Sequence, residues 1–270
     1  MEIIQYERLR PQQLIDMRNK TPVVYVPLGP LEWHGPHLPY GVDVLHAYTL
    51  ATEACRLTGG VVLPPLALGT ETFLSEQRVK ERGFKGSERI IGMDFPAFPL
   101  PSLYNEESAF GVIVRDLVIA LKRQMYKVIA IVNGHGGRYH MVALDRIAWE
   151  TSEPPEVQVM HIYSLNIKIG GERQGGHAEK GETSFMLKYF PETVDLNALP
   201  KPGIALKNAD FGVLDGPTCQ GEPTPDFTVR DNQDPRHASA EEGEKNTKER
   251  VQFIATTVRN ALAESRSAHR

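Results

Sequence analysis

The chain has 270 residues, of which 41% are hydrophobic and 24% charged, with a formal net charge of −4 at pH 7. This length suits one large α/β domain with a buried core, and the slightly acidic balance argues against a nucleic-acid partner, which favours a basic face. We expect no membrane partner, because no apolar run approaches the roughly 18 residues that suggest a spanning helix. Two isolated cysteines, Cys55 and Cys219, and the lack of a signal-peptide pattern predict a cytoplasmic location.

Apolar runs along the chain alternate between strand-like and helix-like patterns. The predicted strands are Val23–Leu28 and residues 60–68, 128–132 and 157–163. The predicted helices are residues 44–57, 107–125, 139–150, 182–189 and 238–263. Strands that alternate with helices at this spacing predict an α/β fold with a mainly parallel sheet that is covered on both faces.

Two long irregular stretches interrupt this alternation. Residues 69–104 mix charged side chains with prolines and phenylalanines, and residues 201–235 are rich in Gly, Pro and Asp. Long irregular segments in a compact domain are usually functional, often as lids or oligomer contacts. We therefore predict a single domain over residues 1–270, with an insert at about residues 69–104.

Candidate metal ligands directly follow the first and third predicted strands. Glu32 and His34 come after the strand that ends at Leu28, and His135 follows the strand that ends near residue 132, within a glycine-rich loop. Because ligands bind at the carboxyl ends of parallel strands, we expect these side chains to share one edge of the sheet. Asp43, at the entry to the next helix, can turn back to that edge. Mixed nitrogen and oxygen donors suit Zn, Mn or Fe better than Mg or Ca.

Each of these residues also has an ordinary structural interpretation. Asp43 is well placed as a helix N-cap, which is a common role for aspartate. His135, taken alone, is typical of a structural hydrogen-bonding residue. His37 either supports a ligand carboxylate through a hydrogen bond or is structural, and we favour the first. The metal interpretation depends on all the ligands occurring together.

The segment before the helix at residues 182–189 carries two further candidates. Glu182 lies in the first turn of that helix, where a carboxylate also complements the helix dipole. His177 precedes it in a glycine-rich loop, which is a suitable place for a group that transfers protons. The alternative for His177 is a solvent-facing loop residue.

Several blocks of the chain, taken in order, resemble the creatininase (creatinine amidohydrolase) family. The blocks are Gly29-Pro-Leu-Glu-Trp-His-Gly-Pro-His-Leu-Pro39 with Asp43, Val132-Asn-Gly-His-Gly-Gly137, His177 with Glu182-Thr-Ser184, and Asp234-Pro-Arg-His-Ala-Ser-Ala-Glu-Glu-Gly243. The first two blocks together are rather specific, and the last is weaker. The resemblance implies a three-layer αβα sandwich with a two-metal hydrolase site.

The resemblance also implies how the metal ions are held. Two divalent ions, Zn or Mn with Fe as a further option, are bound by five side chains, which are Glu32, His34, Asp43, His135 and Glu182. Glu32 and His34 each bind one ion, and Asp43 bridges the pair. Glu182 is chosen as the fifth ligand because Gly137 stands where creatininase itself has a ligand carboxylate.

The resemblance also indicates which residues lie near the substrate. His177 matches the catalytic or substrate-binding histidine of the family, and Gly176 stands where creatininase has a carboxylate. Trp33 and Arg138 stand where relatives often have Gln and Asn, and the resemblance places both near the pocket as substrate-binding residues. Arg138 suits a carboxylate, a phosphate or a polyol hydroxyl, with a surface salt bridge as an equal alternative. These departures predict a substrate other than creatinine.

The function implied by the resemblance is hydrolysis of a small polar substrate at a cyclic amide or other C–N bond. A metal-activated hydroxide is the expected nucleophile, and His177 is the expected proton donor to the leaving group. The alternative is hydrolytic C–C ring opening of an oxidised diketo inositol such as 3-dehydro-scyllo-inosose, on which some relatives act. A third interpretation is an inactive metal-binding paralogue. Because family members tend to form homo-oligomers, we expect a homo-oligomer.

Overall fold

A four-stranded parallel sheet forms the centre of the structure, a computed structural model that describes residues 3–81, 84–94, 100–164, 168–169, 172–173, 176–204, 206, 208–209, 212–213 and 232–267. The strands are β1 (Val23–Leu28), β2 (Val61–Val62), β3 (Val128–Asn133) and β4 (Gln158–Tyr163), in the spatial order β2-β1-β3-β4. Leu28 pairs with Asn133, and Asn133 pairs with Tyr163, so three strands end level with one another at one edge. The predicted parallel sheet is confirmed.

Seven α-helices accompany this sheet in the described part of the chain. They are α1 (Pro11–Lys20), α2 (Val42–Thr58), α3 (Glu76–Glu81), α4 (Glu107–Arg123), α5 (Arg138–Thr151), α6 (Lys180–Tyr189) and α7 (Ala240–Ser267). Two short antiparallel ladders pair β5 (Lys168–Ile169) with β6 (Glu172–Arg173) and β7 (Asn208–Ala209) with β8 (Gly212–Val213). Among the described helices, none has an apolar stretch long enough to cross a lipid bilayer.

Alternate side chains of the strands pack on opposite faces of the sheet. Val23 and Tyr25 of β1 belong to the core that the sheet forms with α2 and α7. Val24 and Val26 belong to the core that it forms with α4 and α5. Every residue of β1 and β3 is buried, as expected for parallel strands that are covered on both faces. The structure is therefore the three-layer αβα sandwich that the family resemblance implies.

The predicted strand at residues 60–68 was wrong over most of its length. Only Val61–Val62 forms a strand, and one further isolated bridge joins Leu66 to Leu28 at the end of β1. Pro64 and Pro65 interrupt the apolar run, and proline cannot donate a hydrogen bond to a ladder. The chain beyond β2 therefore follows the sheet edge without joining it as a regular strand.

Other differences concern helix positions. Helix α1 was not predicted from the sequence, although its proline at the first helical position and the bond from the Arg10 backbone nitrogen to Gln13 Oε1 at 3.1 Å are typical of a helix start. Nor was helix α3, which lies in the stretch predicted to be irregular. The predicted helix at residues 238–263 starts and ends later, as α7. Most of the stretch at residues 201–235 lies outside the described residues.

The close packing of α6 against α7 depends on Gly243. A Cβ at this position would lie 2.0 Å from the carbonyl oxygen of Ser184 and 2.9 Å from the backbone nitrogen of Phe185. We predict that Gly243→Ala lowers the free energy of unfolding by about 1–3 kcal/mol, because backbone atoms must shift to admit the methyl group.

The matched control is Gly111→Ala in α4, where an added Cβ meets only Arg146 Nη2 at 3.9 Å. This substitution is expected to stabilise the protein by about 0.5–1 kcal/mol, since alanine favours a helix interior over glycine. Denaturant unfolding of both variants measures the difference. Equal stabilities of the two variants would contradict the packing argument.

Candidate metal centre

The predicted site residues lie at the carboxyl ends of β1 and β3, close to the first turn of α2. Two glycines allow this approach: a Cβ at Gly29 would lie 2.7 Å from the Cβ of Asp43, and a Cβ at Gly134 would lie 2.0 Å from the Asp43 carbonyl oxygen. The helix begins at Val42 after Gly41, so the N-cap interpretation of Asp43 was wrong. The Asp43 side chain is buried, and its carboxylate contacts two histidines instead.

Three side chains meet at one side of Asp43, and we call this group position A. His135 Nδ1 lies 3.2 Å from Glu32 Oε2 and 3.0 Å from Asp43 Oδ2. The end of β3 fixes the His135 backbone, because Asn133 Oδ1 accepts from the His135 backbone nitrogen at 2.8 Å and Asn133 Nδ2 donates to its carbonyl at 2.8 Å. One ligand atom from each member of position A lies within 4.8 Å of the others, a spacing that can hold a metal ion.

A second group, position B, shares Asp43 and adds His34 and Glu182. His34 Nε2 lies 3.2 Å from Asp43 Oδ1 and 3.7 Å from Glu182 Oε2. The other ring nitrogen, Nδ1, donates to the Glu32 carbonyl at 3.0 Å, so Nε2 faces the carboxylates. Glu182 Oε2 accepts from the Ala178 backbone nitrogen at 2.6 Å, which holds this carboxylate at the start of α6.

The buried carboxylates and imidazoles shift one another's pKa values. Burial disfavours a charged imidazolium, but the neighbouring carboxylates, led by Asp43, outweigh this effect and raise the pKa of His34 to about 10. Burial raises the pKa of Glu182 to about 8, against the opposing charge of His34. Burial has the same effect on Asp43, yet the imidazoles of His34 and His135 hold its pKa well below the ordinary value. Without other cations the cluster therefore binds protons, as crowded carboxylates do.

Two observations indicate that this cluster fits a pair of divalent cations. His34 Nε2 is buried and has no hydrogen-bond partner among the described residues, although carboxylate oxygens lie on two sides of it. Positions A and B each offer one imidazole nitrogen and two carboxylate oxygens, and this donor set suits Zn, Mn or Fe. Cations at these positions would replace the protons that the metal-free cluster binds.

His177 lies beside both positions. Its Nε2 donates to the carbonyl of Trp33, so in the neutral ring Nδ1 carries no proton, and Nδ1 lies 3.8 Å from Glu32 Oε2. The His177 ring centroid is 4.1 Å from that of His34. Burial, with the neighbouring charge of His34, lowers the pKa of His177 to about 4. Its side chain is only 15% exposed, so the solvent-facing alternative for this residue was wrong.

The remaining predicted residues have different surroundings. Trp33 is 7% exposed, and its side chain packs in an apolar cluster with Val79. Arg138 is exposed at the first residue of α5, so the substrate contacts of both residues stay predictions. His37 Nε2 bonds with Thr183 Oγ1 at 3.0 Å, and its Nδ1 has no hydrogen-bond partner within the described chain. The hydrogen bond that we favoured between His37 and a ligand carboxylate is therefore not found there.

The stretch at residues 69–104, which we call segment 69–104, brings Glu71 and Tyr104 to the site. Neither residue was predicted from the sequence to be part of it. Glu71 Oε1 lies 3.4 Å from His135 Nε2, and the Tyr104 hydroxyl donates to Glu32 Oε1 at 2.5 Å. A signal for Glu71 was present, because it closely follows the strand predicted at residues 60–68, and side chains after parallel strands share one sheet edge. No comparable signal marks Tyr104.

A buried cation of α7 was also missed. Arg250 is 2% exposed, and its Nη1 donates to His46 Nε2 at 3.1 Å. Since a guanidinium only donates, His46 accepts at Nε2 and donates through Nδ1 to Ser164 Oγ at 3.1 Å. Burial lowers the pKa of His46, so this ring stays neutral. Among several basic residues of the same helix, nothing in the sequence distinguishes Arg250.

Comparisons with known proteins agree with this geometry. The family model for creatininase, described as creatinine amidohydrolase, matches residues 7–258. A structure titled as the Mn form of creatininase has a TM-score of 0.66 and 20% identity, and the match covers 96% of this chain and 98% of that one. A mutant creatininase of Zn–Zn type has a TM-score of 0.62 and 21% identity, with coverage of 96% and 98%.

A curated relative was also found. The 3-dehydro-scyllo-inosose hydrolase of Thermotoga maritima is 20% identical over an alignment of 198 residues that covers 70% of this chain. The match covers 57% of that relative, so the chain spans little more than half of its length. The family model covers most of the chain, and the shared fold covers nearly all of it. The chain belongs to the creatininase (creatinine amidohydrolase) family of metal-dependent hydrolases.

Proposed function

We propose that this protein binds two divalent metal ions, at positions A and B, and hydrolyses a cyclic amide or other C–N bond of a small polar molecule. One observation carries the proposal: Asp43 presents Oδ2 to position A and Oδ1 to position B, as a carboxylate that bridges two cations would. Glu32 and His135 complete one position, and His34 and Glu182 complete the other. The three carboxylates offset most of the charge of two divalent cations.

The bound ions would supply Lewis acidity and lower the pKa of a water ligand from 15.7 to roughly 7. The chain supplies the proton transfer. The Trp33 carbonyl holds the Nε2–H of His177, so that Nδ1 is directed to the site and is free to carry a proton. We assign the proton transfer to His177 Nδ1, which would accept the proton released by the attacking water and deliver it to the leaving nitrogen, and this completes the hydrolysis of the C–N bond.

A second candidate function is the hydrolytic C–C ring opening of an oxidised inositol. The observation that favours it is the relative from Thermotoga maritima, which is a 3-dehydro-scyllo-inosose hydrolase. The same site would serve this reaction, since water again adds to a carbonyl carbon, and His177 would then protonate the leaving carbon. Arg138, exposed beside the loop that carries His135, suits the hydroxyls of a polyol.

A metal analysis combined with a substrate panel tests both candidates. The purified protein is analysed by inductively coupled plasma mass spectrometry and is then incubated with creatinine, other cyclic amides, formamides and keto-inositols. The addition of one water to an amide substrate, seen by mass, supports the first candidate, and addition to a keto-inositol alone supports the second. Two bound ions without any turnover would support an inactive metal-binding paralogue, and fewer than two ions would contradict the proposal.

A further inference from the structure

Segment 69–104 contacts only one of the two proposed metal positions through the residues described. The Tyr104 hydroxyl bonds to Glu32, and the Glu71 carboxylate lies against His135, and both partners belong to position A. At position B, the outer hydrogen bonds of His34 and Glu182 instead come from backbone groups outside segment 69–104. The two positions therefore differ in what holds their ligands.

Tyr104 restricts how Glu32 can bind a cation. Its hydroxyl donates to Glu32 Oε1 at 2.5 Å and accepts from the Met93 backbone nitrogen at 3.2 Å, so the phenol is held in place from both sides. Glu32 Oε2, the oxygen that faces His135 Nδ1 at 3.2 Å, is left to bind the metal ion.

Glu71 faces His135 at an ion-pair distance, and His135 Nε2 has no hydrogen-bond partner among the described residues. The imidazole directs Nδ1 to Glu32 and Asp43, and its opposite nitrogen, Nε2, lies 3.4 Å from Glu71 Oε1. Glu71 is itself held, because its Oε2 accepts from the Thr72 backbone nitrogen at 3.0 Å. A carboxylate behind a metal-binding histidine fixes the tautomer and the orientation of the ring, so that the metal-facing nitrogen keeps its lone pair.

Gly137 leaves the space that this contact requires. A Cβ at Gly137 would lie 2.2 Å from Glu71 Oε1 and 2.5 Å from His135 Nε2, so it would press on both atoms. The backbone of Gly137 has φ −56° and ψ 130°, a conformation that alanine adopts without strain. Alanine at this position would therefore force the flexible end of Glu71 and the imidazole of His135 apart while both residues remain in the chain.

We infer that Glu71 and Tyr104 are positioning residues for position A, and that segment 69–104 thereby sets the metal affinity of that position without setting that of position B. The inference rests on the proposed two-metal function. It assigns a role to a segment that supplies none of the five proposed ligands, and whose described side chains contact the ligand side chains of Glu32 and His135.

The test is a titration of Mn²⁺ into metal-free protein, followed by isothermal calorimetry, which gives a dissociation constant for each position. Glu71→Ala, Gly137→Ala and Tyr104→Phe are each expected to weaken one of the two constants by about 10–100-fold and to leave the other within about 3-fold of the wild type. Glu71→Gln, which keeps an oxygen acceptor for Nε2–H, should recover part of the loss.

A double variant separates this contact from general disturbance of the fold. Because the Cβ added by Gly137→Ala meets Glu71 as well as His135, the loss in the combination of Glu71→Ala with Gly137→Ala should be smaller than the sum of the two single losses. The controls are Gly111→Ala and Glu76→Gln, whose side chains lie on α4 and α3 away from the ligands, and both should bind like the wild type.

The outcomes separate the inference from the proposed function. Wild-type protein that binds fewer than two Mn²⁺ ions overturns the proposed function, and this inference with it. Wild-type protein that binds two ions, with Glu71→Ala and Gly137→Ala unchanged or weakened equally at both positions, overturns this inference alone. Selective weakening at one position supports it.

Discussion

Asp43→Asn is expected to remove at least one of the two bound metal ions and to lower turnover by at least about 10³-fold, or roughly 4 kcal/mol of transition-state stabilisation. The amide keeps the size of the carboxylate but loses its charge, and its nitrogen cannot act as a ligand. Since Oδ1 and Oδ2 face different positions, either orientation of the amide leaves one position without its shared oxygen. Metal content by mass spectrometry and the rate on the best panel substrate provide the measurements.

The matched control for this prediction is Asp116→Asn on the exposed surface of α4. It should retain two ions and full activity, and thermal unfolding of both variants should show that each is folded. An Asp43→Asn protein that keeps two ions and wild-type turnover would show that Asp43 does not bridge the metal pair.

His177→Ala is expected to lower kcat by about 10²–10⁴-fold while both metal ions stay bound, because positioned proton transfer contributes a factor of this size. The orientation of the His177 imidazole supports this role, because the Trp33 carbonyl accepts from Nε2–H and leaves Nδ1 to transfer the proton. His177 also forms a candidate ligand group with Glu32 and His34, so the metal content decides between the two roles. Loss of a metal ion in His177→Ala would make this residue a ligand instead.

Chemical rescue provides a second readout for the same residue. Imidazole added to His177→Ala should restore part of the rate, because the vacated space can admit a free base that carries the proton. His37→Ala gives no useful control, as His37 is buried and bonds to Thr183 beside Glu182. His177→Gln is more informative, because its amide can still donate to the Trp33 carbonyl yet cannot transfer a proton, so it should fold normally, keep its metal ions and resist rescue.

The sequence was sufficient to predict the layers of the fold and the convergence of the main cluster. Continuous apolar runs such as Val23–Leu28 identify strands that are buried on both faces, and parallel strands must end at a common edge. That rule alone predicts that Glu32, His34 and His135 lie near one another. The exact start of α2 was not predictable, because Asp43 satisfies the composition of an N-cap and of a metal ligand equally well.

Tertiary packing determines the features that the sequence did not reveal. Tyr104 reaches Glu32 across 72 positions of sequence, through a segment with no regular periodicity. Arg250 differs from neighbouring basic residues only because its part of α7 packs against α2 and the sheet, which buries the guanidinium beside His46. The strand predicted at residues 60–68 failed for a local reason that was visible in the sequence, namely the two prolines at positions 64 and 65.

Gly29 and Gly134, the two glycines that contact Asp43, limit which substitutions the proposed metal site can accept. Because Gly29 and Gly134 bring the main chain directly against the first turn of α2, we expect backbone geometry to set the spacing of positions A and B. We expect the loops around this centre, including the one that carries His135 and leads to Arg138, to determine which substrate is recognised. Libraries randomised around Arg138 should therefore yield altered selectivity while retaining the hydrolytic machinery, and Gly29 and Gly134 should tolerate no replacement at all.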